Sequence, residues 1–174
     1  RDLVRSRGLG DVYKRQDYMR YADYAGTYNF EYKKASVKVR MVPAGDEKTY
    51  WLEGLSPDFK LTFVYDKKTG TLTWSPEKIY TDPNKHEHWM CSWDAGDTGQ
   101  IFRYAFLGFV VNKDFNKPGV FLTFTSTLAG YLNLDSMVII EYNGSKKVGE
   151  STTVLVNGSA QILMIKGMTK INND

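Results

Sequence analysis

The sequence predicts an all-β fold, an antiparallel up-and-down β-barrel of about 8–10 strands. Three observations carry that expectation. Short apolar/polar alternations recur along most of the 174 residues, with almost no helical period between them. Turn signals rich in Gly, Pro, Asn and Asp separate the alternating runs at regular intervals. The chain is also rich in aromatics, with 12 Tyr, 9 Phe and 4 Trp, residues that favour a pleated, half-buried surface.

The clearest single element is the hairpin Lys60–Ser75, KLTFVYDKKTGTLTWS. Leu61, Phe63 and Tyr65 alternate with Thr62, Val64 and Asp66, and Leu72 and Trp74 alternate with Thr71 and Thr73. Asp66 opens the intervening turn by bonding to its own backbone, and Gly70 supplies the left-handed position that closes it. Before the hairpin, Asp17–Ala25 reads as a short helical turn or extended lead-in, with Tyr18, Tyr21 and Tyr24 at three-residue spacing. Gly26-Thr27-Tyr28 opens a first strand to about Tyr32, its glycine allowing a tight approach and its aromatic plugging one end of the barrel. Ser36–Val42 alternates Val37, Val39 and Met41 with Lys38, Arg40 and Val42. Pro43–Asp46 is a turn, and Thr49–Leu55 a third strand.

After the hairpin, Pro76–Lys85 reads as a polar connector broken at Asp82-Pro83-Asn84. A short strand follows at about His88–Trp93, then a turn cluster over Asp94–Gly99. Ile101–Asn112 is apolar on both faces, as in a strand covered twice or bent at Gly108. Val120–Thr127 and Met137–Tyr142 are further strands, and the last spans Ala160–Ile165, with an extension towards Ile171. Consecutive hairpins favour a meander, and a sheet of this size removes its exposed edges by closing on itself.

Composition bounds the function. The net charge of +3 sits in the leader: five of the 23 basic and two of the 20 acidic residues lie in 1–16, leaving 18 of each beyond it. The globular part therefore lacks the basic excess that nucleic-acid binding requires, and no nucleic-acid partner is expected. The single cysteine, Cys91, excludes an intramolecular disulfide and reads as a small core residue. No apolar run is long enough to form a membrane helix. Residues 1–16, RDLVRSRGLGDVYKRQ, resemble a translated sequencing-adapter read-through, which predicts a non-native or disordered leader and a single domain over 17–174.

The Gly26-Thr27-Tyr28 opening, the Tyr65–Leu72 hairpin YDKKTGTL and the late apolar strands together resemble lipocalin-like (calycin-type) β-barrel domains at the C-terminal end of secreted lipoproteins of gut Bacteroidetes. The likeness covers roughly Tyr24 to Ile171. Lipocalins proper carry Trp where this chain has Tyr28. The resemblance implies a barrel in a secreted, periplasmic or cell-surface setting, held to the membrane only through a lipid anchor on a cysteine upstream of the present chain.

Candidate chemistry is sparse. His86 and His88, at i and i+2 on an extended segment, point to one face and could share a metal with Asp82, Asp94 or Asp97, although a solvated loop rim is the plainer reading and no metal or other cofactor is assigned. Glu77, Glu87, Asp94 and Asp97 fall near one connector, so a small barrel hydrolase using these carboxylates or the His pair is an alternative. No nucleophile elbow, phosphate loop or zinc-protease helix is present. The aromatics point elsewhere. Trp51, Tyr80, Trp89 and Trp93 are the expected rim of a pocket for a small apolar or glycan ligand, since flat rings stack on sugar faces and line apolar sites. The sequence thus predicts a non-catalytic binding module, with a filled-core structural or interaction module as a further alternative.

Overall fold

The computed structural model describes residues 18–32, 35–94, 98–127, 136–151, 155–156, 159–160, 163–164 and 167–173. The leader 1–16 and its expected disorder lie outside these residues. The strands are β1 (Gly26–Tyr32), β2 (Ala35–Pro43), β3 (Thr49–Glu53), β4 (Leu61–Asp66), β5 (Thr71–Trp74), β6 (Glu77–Thr81), β7 (Glu87–Trp93), β8 (Ile101–Phe102) and β9 (Phe109–Lys113). They continue with β10 (Phe121–Ser126), β11 (Ser136–Asn143), β12 (Lys146–Ser151), β13 (Leu155–Val156), β14 (Ser159–Ala160), β15 (Leu163–Met164) and β16 (Gly167–Asn172).

Eight strands close an antiparallel barrel in the order β1-β16-β10-β9-β5-β4-β3-β2. In chain order this is an up-and-down meander, because β5, β9, β10 and β16 are neighbours once the segments between them are set aside. Those two segments, β6–β8 and β11–β15, both leave from the barrel end at Trp74, Phe109 and Ser126. They pair with each other through β7 and β11 in a second sheet, ordered β12-β11-β7-β6. The expectation that His88–Trp93 and Met137–Tyr142 are barrel strands is corrected here: period-two alternation does not distinguish one sheet from another. Likewise, Pro76–Lys85 contains strand β6 rather than only a connector, and Ile101–Asn112 is two strands. The chain breaks between them at Gly108, where an added Cβ would lie 1.9 Å from the Trp74 carbonyl oxygen.

The Lys60–Ser75 hairpin forms as the residues dictate. Phe63 opposes Trp74, and Tyr65 opposes Leu72. Asp66 accepts from the Lys68 amide through Oδ1 (2.9 Å), its carbonyl accepts from the Gly70 amide (2.8 Å), and Gly70 adopts φ 70°.

Inward positions of all eight strands fill the barrel with large side chains. Tyr28, Phe30, Tyr50, Leu52, Phe63, Leu72, Trp74, Val111, Leu122 and Met168 are wholly buried. At the end where the insertions leave, Phe124 packs edge-on against Phe30, Phe63 and Phe109, with centroids 5.9–6.3 Å away, while Trp74 stacks on Phe109 at 5.8 Å. The opposite end is plugged by the lead-in. Its 3₁₀ turn, Tyr21–Tyr24, is clamped by tyrosine hydroxyls that donate to backbone carbonyls: Tyr50 to Tyr21 (2.5 Å), Tyr28 to Tyr24 (2.8 Å), Tyr65 to Met19 (2.8 Å) and Tyr24 to Gly70 (2.5 Å). These bonds supply partners for phenols that burial would otherwise leave unsatisfied.

The second sheet has two different faces. Met90, Met137 and Ile139 belong to the same buried cluster as the barrel interior. The other face is a separate small core of Cys91, Val138, Ile140 and Tyr142, flanked by Trp89, Trp93 and Ile101.

Candidate functional site

The four expected pocket aromatics do not converge. Trp51 lies on the outer wall of the barrel, between inward-facing Tyr50 and Leu52, with the Lys60 ammonium 3.4 Å from its ring centroid. Tyr80 stacks on His88 at 4.3 Å, on the face of the second sheet shared with Met90. Trp89 and Trp93 occupy the opposite face beside Cys91. Their indole N–H groups donate to Glu87 Oε1 (3.0 Å) and to the Gly99 carbonyl (3.2 Å). An open hollow of about 820 Å³ lies at the plugged end of the barrel instead, lined by Tyr21, Tyr65 and the charged turns Asp46–Lys48 and Asp66–Lys68.

The expected acids are also apart. Glu87 pairs with Lys78 at 3.8 Å. Asp94 is buried, with Oδ2 accepting from Thr98 Oγ1 at 2.9 Å and Oδ1 without a partner among the described residues. Asp97 lies outside the described residues. Glu77 reaches from β6 to the barrel, where its Oε2 accepts from the Thr62 amide and the Trp74 indole, both at 2.9 Å. Burial pushes the Glu77 carboxyl above its ordinary value against those two hydrogen bonds.

The histidine pair, by contrast, meets carboxylates. The β6–β7 connection is an Asx-type turn in which Asp82 Oδ1 accepts from the amides of Asn84 (2.9 Å) and His86 (3.0 Å). Lys85, at φ 64°, reverses the chain. This aims Asp82 Oδ2 at His88 Nε2, 2.9 Å away. The His88 ring bond, followed by the two backbone amides, holds the Asp82 carboxyl below its ordinary range. His88 is 7% exposed, and its Nδ1 has no partner among the described residues. On β11, Glu141 stands directly opposite His88, and its Oε2 lies 2.6 Å from His86 Nδ1. Three elements therefore bring two imidazoles and two carboxylates together, and the ligand atoms of Asp82, His88 and Glu141 lie within 4.8 Å of one another. Sequence reading found both histidines and Asp82. It missed Glu141, because cross-strand register between distant segments leaves no local signal.

A family profile, DUF4987, described as a domain of unknown function, matches residues 9–140, and the chain belongs to that family. The match spans seven of the eight barrel strands and includes Asp82, His86 and His88. No curated protein and no solved structure matches the chain. Among the described residues, no helix is long and apolar enough to cross a membrane.

Proposed function

We propose that this DUF4987 domain is a non-catalytic β-barrel module of a secreted or surface-anchored lipoprotein, acting as a structural or interaction unit through its outer surface. The observation that carries the reading is the packed interior: Tyr28, Phe30, Tyr50, Phe63 and Trp74 occupy the axis where a ligand-carrying barrel keeps a cavity. The separation of Glu77, Glu87 and Asp94 supports the absence of paired-acid catalysis. The likeness of the Gly26–Tyr28 and Tyr65–Leu72 motifs to surface lipoprotein domains supports the cellular setting.

Any apolar or glycan ligand is then assigned to the exterior. Exposed, near-parallel Tyr104 and Phe106, 64% and 70% accessible and 12° apart in plane, favour that loop over the four tryptophan and tyrosine positions read from the sequence. The test is a chemical-shift titration of the labelled chain with neutral oligosaccharides and a fatty acid. Shifts absent or confined to the Tyr104–Phe106 loop support the reading. Saturable shifts at Phe30, Phe63 and Trp74 would contradict it.

A further inference from the structure

We propose that Asp82, His88 and Glu141 form a binding site for one divalent transition-metal ion of the Zn²⁺ class, with His86 positioning Glu141, and that the ion staples the β6–β7 turn to β11 of the second sheet. The donor set is one imidazole nitrogen with two carboxylates. That combination suits zinc and neighbouring first-row ions, whereas calcium and magnesium favour oxygen-only sites.

The spacing fits a small adjustment. Tetrahedral ligands at zinc–nitrogen and zinc–oxygen distances of about 2.0–2.1 Å stand roughly 3.3 Å from one another. The two hydrogen-bonded pairs stand at 2.9 Å (His88–Asp82) and 2.6 Å (His86–Glu141), and the donors of Asp82, His88 and Glu141 all fall inside 4.8 Å. Widening the His88–Asp82 pair by roughly half an ångström and drawing Glu141 toward it makes room for an ion. The positions are held in advance: Asp82 by the two amides on Oδ1, His88 by the Tyr80 ring, Glu141 by its register opposite His88.

An ion on His88 Nε2 places the ring N–H at Nδ1, which has no partner among the described residues. Without an acceptor to orient it, the His88 ring binds the ion about 10–100-fold less tightly than a supported imidazole. Binding is therefore expected to be weaker than at a fully supported structural zinc site. Asp82, His88 and Glu141 leave the fourth position of a tetrahedral ion to a water, while the ion ties the β6–β7 turn to β11. His86 and Glu141 retain 24% and 30% side-chain exposure, so the ion has a path in.

The experiment is calorimetric titration of the tag-free, chelator-treated full chain with zinc chloride, followed by Co²⁺ absorption spectroscopy. One saturable equivalent is expected, with a raised melting temperature, tetrahedral Co²⁺ bands and no competition from excess Mg²⁺ or Ca²⁺. Glu141→Gln and His86→Asn sit at partly exposed positions and should keep the wild-type circular dichroism. Each should weaken Zn²⁺ binding at least about tenfold. His88→Asn should remove the Co²⁺ bands. A folded wild-type chain that shows no saturable binding would overturn the proposal. So would folded Glu141→Gln and His86→Asn variants that bind as tightly as wild type, since the ion would then sit elsewhere.

Discussion

Glu77 is a carboxylate that ties the second sheet to the barrel, and truncating it separates two opposing effects. Its Oε2 satisfies both the Thr62 amide and the wholly buried Trp74 indole N–H. Glu77→Ala strands both donors. At about 1–3 kcal/mol for each unsatisfied buried group, and allowing water to reach the half-buried Thr62 side, the cost is about 2–4 kcal/mol. Glu77→Gln keeps one oxygen in place for both donors and removes a charge that burial disfavours. Its stability at pH 7 should lie within about 1 kcal/mol of wild type. The pH dependence has a definite sign. Burial raises the folded-state pKa above the ordinary 4.5, so the contribution of this group is fully present below 4.5 and is lost as pH rises through the folded value. The wild-type/Gln difference must therefore move in favour of Gln between pH 4.5 and neutrality. Urea melts of the three proteins at both ends of that window measure this. With a slope of about 2 kcal/mol/M, Glu77→Ala should lower the midpoint by about 1–2 M. A Gln variant as unstable as Ala, or an Ala variant within about 0.5 kcal/mol of wild type, would refute the reasoning.

The tyrosine plug predicts alkaline sensitivity. Burial raises Tyr24, Tyr28, Tyr50 and Tyr65 well above the ordinary 10.0, so their stabilisation is complete below pH 10.0 and falls as pH rises beyond it, when the unfolded chain ionises first. Tyr24→Phe should cost about 1 kcal/mol at neutral pH through loss of the bond to Gly70 and should flatten that alkaline decline, both read from thermal melts. Burial also pushes the Cys91 thiol up to about 12, so its reaction with a thiol reagent at pH 8 should follow global unfolding. Rapid labelling of the native chain would show that the small core over the second sheet is open.

The barrel was legible in the sequence because its strands are consecutive hairpins with inward aromatics, and local alternation reports those directly. The Asp66–Gly70 turn and the Gly26 opening follow from residue chemistry alone. The second sheet was not legible. Its strands alternate just as the barrel strands do, and only long-range pairing of β7 with β11 separates them. The same pairing hid the site. His86, His88 and Asp82 are close in sequence, but Glu141 enters through register. Trp51, Tyr80, Trp89 and Trp93 were grouped by proximity in sequence, yet pleating sends Tyr80 and Trp89 to opposite faces. Tyr104 and Phe106 read as strand residues because their neighbours are apolar, but the break before Gly108 leaves them in an exposed loop.

Whether the barrel interior is a packed core or a ligand cavity is tested most directly by benzene binding to wild type and Phe63→Ala. Phe63 is wholly buried and lies edge-on to Phe124, so its removal should cost about 3–5 kcal/mol and leave an apolar cavity. Melting temperatures with and without saturating benzene should show no shift for wild type and a clear rise for the variant, as a dry apolar cavity accepts such a guest. Stabilisation of the wild-type chain by benzene, together with a Phe63→Ala cost below about 1 kcal/mol, would mean that the interior is already open, contradicting the packed barrel on which the functional reading rests.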